Sequence, residues 1–303
     1  MTAIYIDAGP ELVALYERLG RAILPDLHIH RGDPEPQALP ALLRGYRGVL
    51  NGHTRLPGEV LTQCPGLEHV VFLGTGVSTY VDMDLAAAHG IGVHGIAGYG
   101  SRTIAEHAVG LMFAAVRDIA RQDRAMRAGQ WQTRGGFELR GRTLGVIGVG
   151  NVGREMVGLG NALGMRVLVW ARRPVDPALS CEQVTLDTLL QQSDVVSLHV
   201  AHTPQTEGML DATRLARMKP GAILVNTARA ALVDEQALAA CLRSGPLGHA
   251  AVDVYGSEPP AADHPLLTLE NCTLTAHSAW NSPQAAERLL VLALEKLRDL
   301  LEV

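Results

Sequence analysis

Arg229, Glu258 and His277 are the residues whose types could do chemistry together. Each follows an apolar run that reads as a strand: 222–227 before Arg229, 249–255 before Glu258, 272–276 before His277. In a parallel sheet all three fall on the C-terminal edge, where such sheets bind ligands. A histidine can hand over a proton near neutral pH. A carboxylate beside it would orient the ring and steady its charged form. An arginine can hold a carboxylate through two parallel hydrogen bonds while polarising a neighbouring carbonyl. Hydride transfer to a 2-keto acid needs all three services, because it creates an alkoxide that must be protonated. Taken singly, each residue also reads as a surface arginine, a loop acid or a strand-end histidine; their joint occurrence carries the chemistry.

A hydride donor needs a place, and residues 142–173 supply the pattern for one. The run Leu144 to Ile147 reads as a buried strand and feeds Gly148-Val149-Gly150-Asn151-Val152-Gly153, a GxGxxG turn. A helix follows, with Val152, Met156, Leu159 and Leu163 on one face and Gly164 as its stop. A second strand runs from Val167 to Trp170. This is the strand–turn–helix–strand context that a dinucleotide fingerprint requires. The first glycine allows the turn, the second lets backbone approach a pyrophosphate, and the third lets helix and strand pack closely. Asn151 and Val152 open the helix and join the candidate contacts. The position after the second strand, where an acid usually meets the ribose 2′-hydroxyl, is Ala171, followed by Arg172 and Arg173. Two guanidiniums without a carboxylate suit a 2′-phosphate, so NADP(H) is favoured over NAD(H). The competing reading is a pair of solvated arginines on a loop that still takes NAD(H).

The elements that must position these groups alternate. Residues 1–98 read as strands and helices in turn, and strands at 195–200, 222–227, 249–255 and 272–276 continue the pattern later. Such alternation predicts an α/β fold with doubly wound parallel sheets. Strand 67–73 ends in a turn whose Gly76 and Val77 could offer backbone contacts to a substrate. Between the two parts the spacing predicts one long helix over 103–128, with Thr103 and Glu106 as a capping box and an apolar stripe for core or subunit contact. Glu106 reads as a cap and not as a catalyst. A last amphipathic helix spans 282–301.

Bulk properties narrow the class. Of 303 residues, 47% are hydrophobic and 19% charged, ordinary for a water-soluble α/β protein. A net charge of −5 leaves no basic footprint for nucleic acid or an anionic membrane. The four cysteines lack CxxC spacing, the start lacks the regions of a signal peptide, and no apolar run nears 18 residues. A cytoplasmic protein is expected. His94 and His107 do not make a zinc-binding spacing, and no metal site is predicted.

Several segments together resemble the D-isomer-specific 2-hydroxyacid dehydrogenase family: GVIGVGNVGR at 145–154, SLHVAHTP at 197–204, NTARAALVDEQAL at 226–238, AAVDVYGSEP at 250–259 and TAHSAW at 275–280. YGSRTIAEHAVGLM at 99–112 resembles the helix that opens the family's cofactor domain. The resemblance covers nearly the whole chain. It implies two Rossmann-like domains: a flavodoxin-like substrate domain from 1–98 plus 278–303, and an NAD(P)-binding domain over 99–277. It implies a hinged cleft, a homodimer through the 103–128 helix region, and a small 2-keto or 2-hydroxy acid as substrate. Arg229, Glu258 and His277 fall on the family's catalytic positions, and Asp253 on its aspartate near the nicotinamide. His199, Thr203, Pro204, Thr227 and Ala228 fall on its cofactor positions, while Gly76, Val77 and Tyr99 match substrate positions.

Departures sharpen the reading. Ala171 resembles NADP(H)-preferring glyoxylate/hydroxypyruvate reductases of the family, and Ala276 replaces a common proline. Trp280 follows His277 as in corepressors of the C-terminal-binding type, where it could close an apolar wall on the substrate; ordinary packing is the alternative. Glu258 argues against formate dehydrogenase. His53 could line the substrate mouth, although a surface position also fits it; His199 lies inside a strand pattern and reads chiefly as structural. No room is expected for a regulatory domain of the phosphoglycerate-dehydrogenase kind. A cofactor-sensing corepressor and a phosphite-type dehydrogenase are the alternative functions.

Overall fold

The computed structural model describes residues 2–302. The chain divides into two compact units, Met1–Gly100 with Asn281–Val303, and Ser101–Trp280.

In the first unit, β1 (Ala3–Ala8), β2 (His28–Arg31), β3 (Gly48–Asn51), β4 (His69–Phe72) and β5 (Gly92–Gly95) form one parallel sheet in the order β2-β1-β3-β4-β5. That order is flavodoxin-like, and its switch point lies between β1 and β3. β1 is buried along its entire length, as expected of a strand covered on both faces. The C-terminal helix Pro283–Leu301 returns to this unit. Ser282 caps it by accepting from the Ala285 N–H, and Pro283 sits where a missing N–H costs nothing. Its buried face, Leu289, Leu290, Ala293, Leu294, Leu297 and Leu301, packs with Tyr5, Leu50 and Val71.

The second unit holds seven parallel strands: β6 (Thr143–Ile147), β7 (Arg166–Trp170), β8 (Glu182–Gln183), β9 (Val195–Leu198), β10 (Ile223–Asn226), β11 (His249–Val252) and β12 (Cys272–Leu274). Their order is β12-β11-β10-β9-β6-β7-β8. The chain leaves β6 outward on one side, then returns to start the other side at β9, so the crevice for a ligand opens between the carboxyl ends of β6 and β9. Apolar clusters cover both faces of this sheet. Both units are thus doubly wound α/β folds.

Two elements differ from expectation. The helix expected over 103–128 is two helices, Ser101–Val116 and Ile119–Arg127. They part at Asp118, which takes a left-handed conformation with φ 51°. The first helix buries Ala105, Ala108, Leu111, Met112 and Ala115. The second buries nothing, so no core contact holds the two in line. The expected capping box is also absent. The helix begins at Ser101, and Glu106 instead pairs with Arg102 at 2.7 Å. The second strand starts only at His28, because Gly20–Ala22 forms a tight turn and the Tyr16 hydroxyl donates to the Leu24 carbonyl at 2.8 Å.

Candidate active site

The glycine turn is built by contact distances. Gly148 has φ 96°, and a Cβ there would stand 2.6 Å from the His199 carbonyl oxygen. A Cβ on Gly153 would stand 2.0 Å from the Gly148 oxygen, so only glycine lets the helix sit this close to the strand. Gly150 is different: a Cβ there meets nothing within 4 Å. Gly150 is also the N-cap of the helix Asn151–Ala162, whose first N–H groups receive no side-chain cap. An uncapped helix start beside open space, at the switch point of the sheet, fits a pyrophosphate. At the end of β10 the buried Thr227 hydroxyl has no partner in the protein. The residues present therefore fit a dinucleotide.

Ala171 follows β7 half-buried, and Arg172 and Arg173 are exposed. Gln183 of β8 holds this loop, donating from Nε2 to the Ala171 and Arg173 carbonyls at 3.1 and 3.0 Å and accepting from the Val175 N–H at 3.0 Å. Among the described residues neither arginine makes an ion pair with a carboxylate. Gln183 is a residue that sequence reading missed, because its partners are backbone atoms.

Arg229, Glu258 and His277 lie beyond the ends of β10, β11 and β12, which are neighbours in the sheet. Asn226 shapes the turn before Arg229: its Nδ2 donates to the Arg229 carbonyl and its Oδ1 accepts from the Ala228 N–H, both at 3.0 Å. The Arg229 side chain reaches back to the Ala228 carbonyl at 2.6 Å. The His277 ring places Nδ1 2.6 Å from Glu258 Oε2, and Glu258 Oε1 accepts from the Tyr255 N–H at 3.0 Å. Nδ1 is thereby committed to the carboxylate, which leaves Nε2 as the nitrogen able to serve a substrate. Both side chains remain more than a third exposed.

His277 has φ 48°, a conformation that costs an ordinary L-residue about 1–2 kcal/mol. Asp253 holds it there. Its side chain is fully buried and accepts from Thr275 Oγ1 at 2.5 Å and from the Ser278 and Ala279 N–H groups at 2.9 Å. Its carbonyl accepts from the His277 N–H at 2.8 Å. Asp253, expected beside the nicotinamide, also fastens the turn that carries His277.

The other expected residues fall as follows. His199 packs its backbone against Gly148, while its ring bonds Ser197 Oγ at 2.8 Å. Burial pushes that imidazole down to about 3, so it is neutral. Thr203 and Pro204 lie in a turn closed by Thr206, whose hydroxyl accepts from the Thr203 N–H at 2.8 Å and donates to the Ala201 carbonyl at 2.8 Å. Trp280 is half-buried at the end of this unit.

In the first unit Gly76 and Val77 lead into the tight turn Val77–Thr79 beyond β4. The Tyr99 carbonyl accepts from Arg288 Nε at 2.7 Å. His53 lies at the switch point: its Nε2 is 2.6 Å from Asp33, and its Nδ1 is 3.7 Å from Asp7. Buried Asp7 accepts from the N–H groups of Gly52, His53 and Thr54 and from the Thr54 hydroxyl, at 2.7–2.9 Å by its nearer oxygen in each case. Among the described residues no group of three or more His, Cys, Asp or Glu could hold a metal ion.

A parallel sheet with this strand order and glycine turn defines a doubly wound fold of the dinucleotide-binding class. The family described as "D-isomer specific 2-hydroxyacid dehydrogenase, NAD binding domain" matches residues 109–279, and the chain belongs to that family. It is 34% identical over 265 residues to a hydroxypyruvate reductase of Blautia hydrogenotrophica, covering 84% of this chain and 82% of that protein. It is 38% identical over 264 residues to a glycerate dehydrogenase of Methylorubrum extorquens, with the same coverage. Among solved structures, the TT0316 protein from Thermus thermophilus superposes with a TM-score of 0.86 at 34% identity, over 100% of this chain and 97% of that one. The chain is accordingly an NAD(P)-dependent oxidoreductase of the 2-hydroxyacid class.

Proposed function

We propose that this enzyme reduces a small 2-keto acid, such as glyoxylate, hydroxypyruvate or a phenyl- or alkyl-substituted pyruvate, to the D-2-hydroxy acid, with NADPH preferred over NADH. The observation that supports it most is the His277–Glu258 pair at 2.6 Å, beyond the same sheet edge as the glycine turn. The relatives named hydroxypyruvate and glyoxylate reductase support the substrate class. When bound, the cofactor supplies the hydride. Gly148, Gly150, Asn151, Val152 and Gly153 hold its pyrophosphate by backbone N–H groups. His199, Thr203, Pro204, Thr227, Ala228 and Asp253 would hold the rest of it, and the partnerless Thr227 hydroxyl would be free to bond it. Arg229 holds the substrate carboxylate and polarises the keto oxygen. His277 donates its Nε2 proton to that oxygen, and Glu258 keeps the ring turned for it. Gly76, Val77, Tyr99, His53 and Trp280 are proposed to touch the substrate.

A panel of 2-keto acids assayed with both NADPH and NADH tests the function. No turnover with any of them would return the chain to the corepressor reading, and oxidation of phosphite alone would favour the phosphite reading. The intact Arg229, Glu258 and His277 set favours an enzyme over a sensor.

Arg172 and Arg173 are proposed to clamp a 2′-phosphate beside Ala171. The double variant Arg172→Ala, Arg173→Ala should lose at least about tenfold in NADPH affinity, the loss of charge-assisted hydrogen bonds of about 1.5–3 kcal/mol, with NADH affinity little changed. An unchanged preference would sink the clamp and leave the dehydrogenase intact.

A homodimer is part of the same reading. Phe113, Ile119, Met126 and Trp131 are 39%, 51%, 52% and 82% exposed within one short stretch. Exposed apolar side chains of this kind support an interaction surface in this stretch. Light scattering should give twice the 32.3 kDa chain mass. Replacing Ile119, Met126 and Trp131 by serine should give the monomer, and a wild-type monomer would refute it. No helix among the described residues is long and apolar enough to cross a membrane. We place the enzyme in the cytoplasm, where its four free cysteines would stay reduced; cell fractionation tests this.

A further inference from the structure

We infer that His107 and Thr275 are positioning residues, which act through Asp253 to set the geometry of His277 and Glu258. The inference rests on the proposed role of His277 as proton donor. His107 lies on the helix Ser101–Val116, with its side chain about a quarter exposed. Its Nε2 is 3.1 Å from Thr275 Oγ1 and 3.6 Å from Asp253 Oδ1. Thr275 Oγ1 is in turn 2.5 Å from Asp253 Oδ1.

The direction of these bonds follows from the donor inventory. An ionised carboxylate only accepts, so the single hydroxyl hydrogen of Thr275 goes to Asp253. Thr275 can then only accept from His107, which requires the His107 hydrogen on Nε2. The ring is therefore read as a donor of fixed sense.

Thr275 also holds the other half of the pair. Its carbonyl accepts from the Tyr255 hydroxyl at 2.9 Å, and the Tyr255 N–H donates to Glu258 at 3.0 Å. Thr275 thus joins the Asp253 side, which holds the turn at 277–279, to the Tyr255 side, which holds Glu258. His277 has positive φ and does not keep that conformation by its own preference. The Asp253 carboxylate at the centre of this network is fully buried with its bonds made, and one lost donor loosens what it holds.

The test compares donors with shape-matched non-donors. Thr275→Val keeps the volume and removes the hydroxyl. It should lower kcat about 100-fold, the scale of a displacement of about 1 Å in a reacting group, while the Kd for NADPH stays unchanged. Thr275→Ser should return kcat to within about threefold of wild type on the same reasoning. His107→Phe should lower kcat about tenfold, and His107→Gln, whose amide N–H can reach the place of Nε2, should restore it. The solvent deuterium isotope effect on kcat should rise in the Val and Phe variants, because proton donation from His277 becomes more limiting; a merely loosened fold would not raise it. The double variant His107→Phe, Thr275→Val should be little worse than Thr275→Val alone, since both act through one chain of bonds.

If Thr275→Val does not fold, the Phe and Gln variants of His107 carry the comparison. Wild-type kcat and isotope effect in folded Val or Phe variants would overturn the inference, as would inactivity that Ser or Gln does not rescue. In either case a still-inactive His277→Asn would keep the dehydrogenase reading standing. Loss of that reading shows differently, as a wild-type protein that reduces no 2-keto acid.

Discussion

His277→Asn should abolish reduction while leaving the protein folded and able to bind NADPH. Asparagine is among the few residues that accept a left-handed backbone, so φ 48° at this position is kept. Its amide can still donate to Glu258, which otherwise loses its 2.6 Å partner. It has no proton to give to a developing alkoxide. General acids of this kind contribute about 10²–10⁴-fold, and the fall in kcat should lie in that range. The dinucleotide turn is built from β6 and the helix after it, and makes no use of residue 277. Fluorescence titration with NADPH should therefore give a wild-type Kd, and thermal unfolding a wild-type midpoint. Equal loss of cofactor binding in a folded variant would show that His277 belongs to the cofactor site.

The second large effect separates two glycines that look alike in the motif. Gly150→Ala should leave stability unchanged, because a Cβ there meets nothing within 4 Å. It should nevertheless remove dinucleotide binding, since the methyl group occupies the space a pyrophosphate needs. Gly153→Ala should do both kinds of damage. Its Cβ would stand 2.0 Å from the Gly148 oxygen, and Gly148 is itself held against the His199 backbone. The helix must lift from the sheet, and overpacking of that kind costs about 1–3 kcal/mol. For a unit of this size that is a fall of several degrees in Tm, at about 2–4 °C per kcal/mol. Differential scanning calorimetry with and without NADPH reads both effects. If Gly150→Ala binds NADPH as the wild type does, the phosphate is not where the helix start points.

The parts of the site legible in sequence are those whose causes are local. Gly148, Gly150 and Gly153 could be read because strand, turn and helix follow one another within a single unit, each with its own period. Arg229, Glu258 and His277 could be read because parallel strands all end on one edge, whatever their order. The residues that hold them could not. Asn226, Gln183, Thr275 and His107 act on backbone atoms or on side chains far along the chain, and nothing in their neighbours' types marks them out. The helix break at Asp118 was hidden for another reason. Residues 117–128 are mostly good helix formers, so their types do not mark the left-handed turn at Asp118, and the second helix buries no residue.

The sequence by itself determined the class of fold, the glycine turn after β6 and the sheet edge at which Arg229, Glu258 and His277 stand, because periodicity and glycine spacing act at short range. Tertiary structure decided the rest. It decided that 283–301 packs on β1, β3 and β4 and not on the strands that precede it, since burying its leucines requires a partner far along the chain. It decided that Asp253 fastens the turn that carries His277, and that His277 is held at positive φ with one nitrogen committed to Glu258. Those are properties of contacts between strand ends, and a contact exists only once the sheet has brought them together.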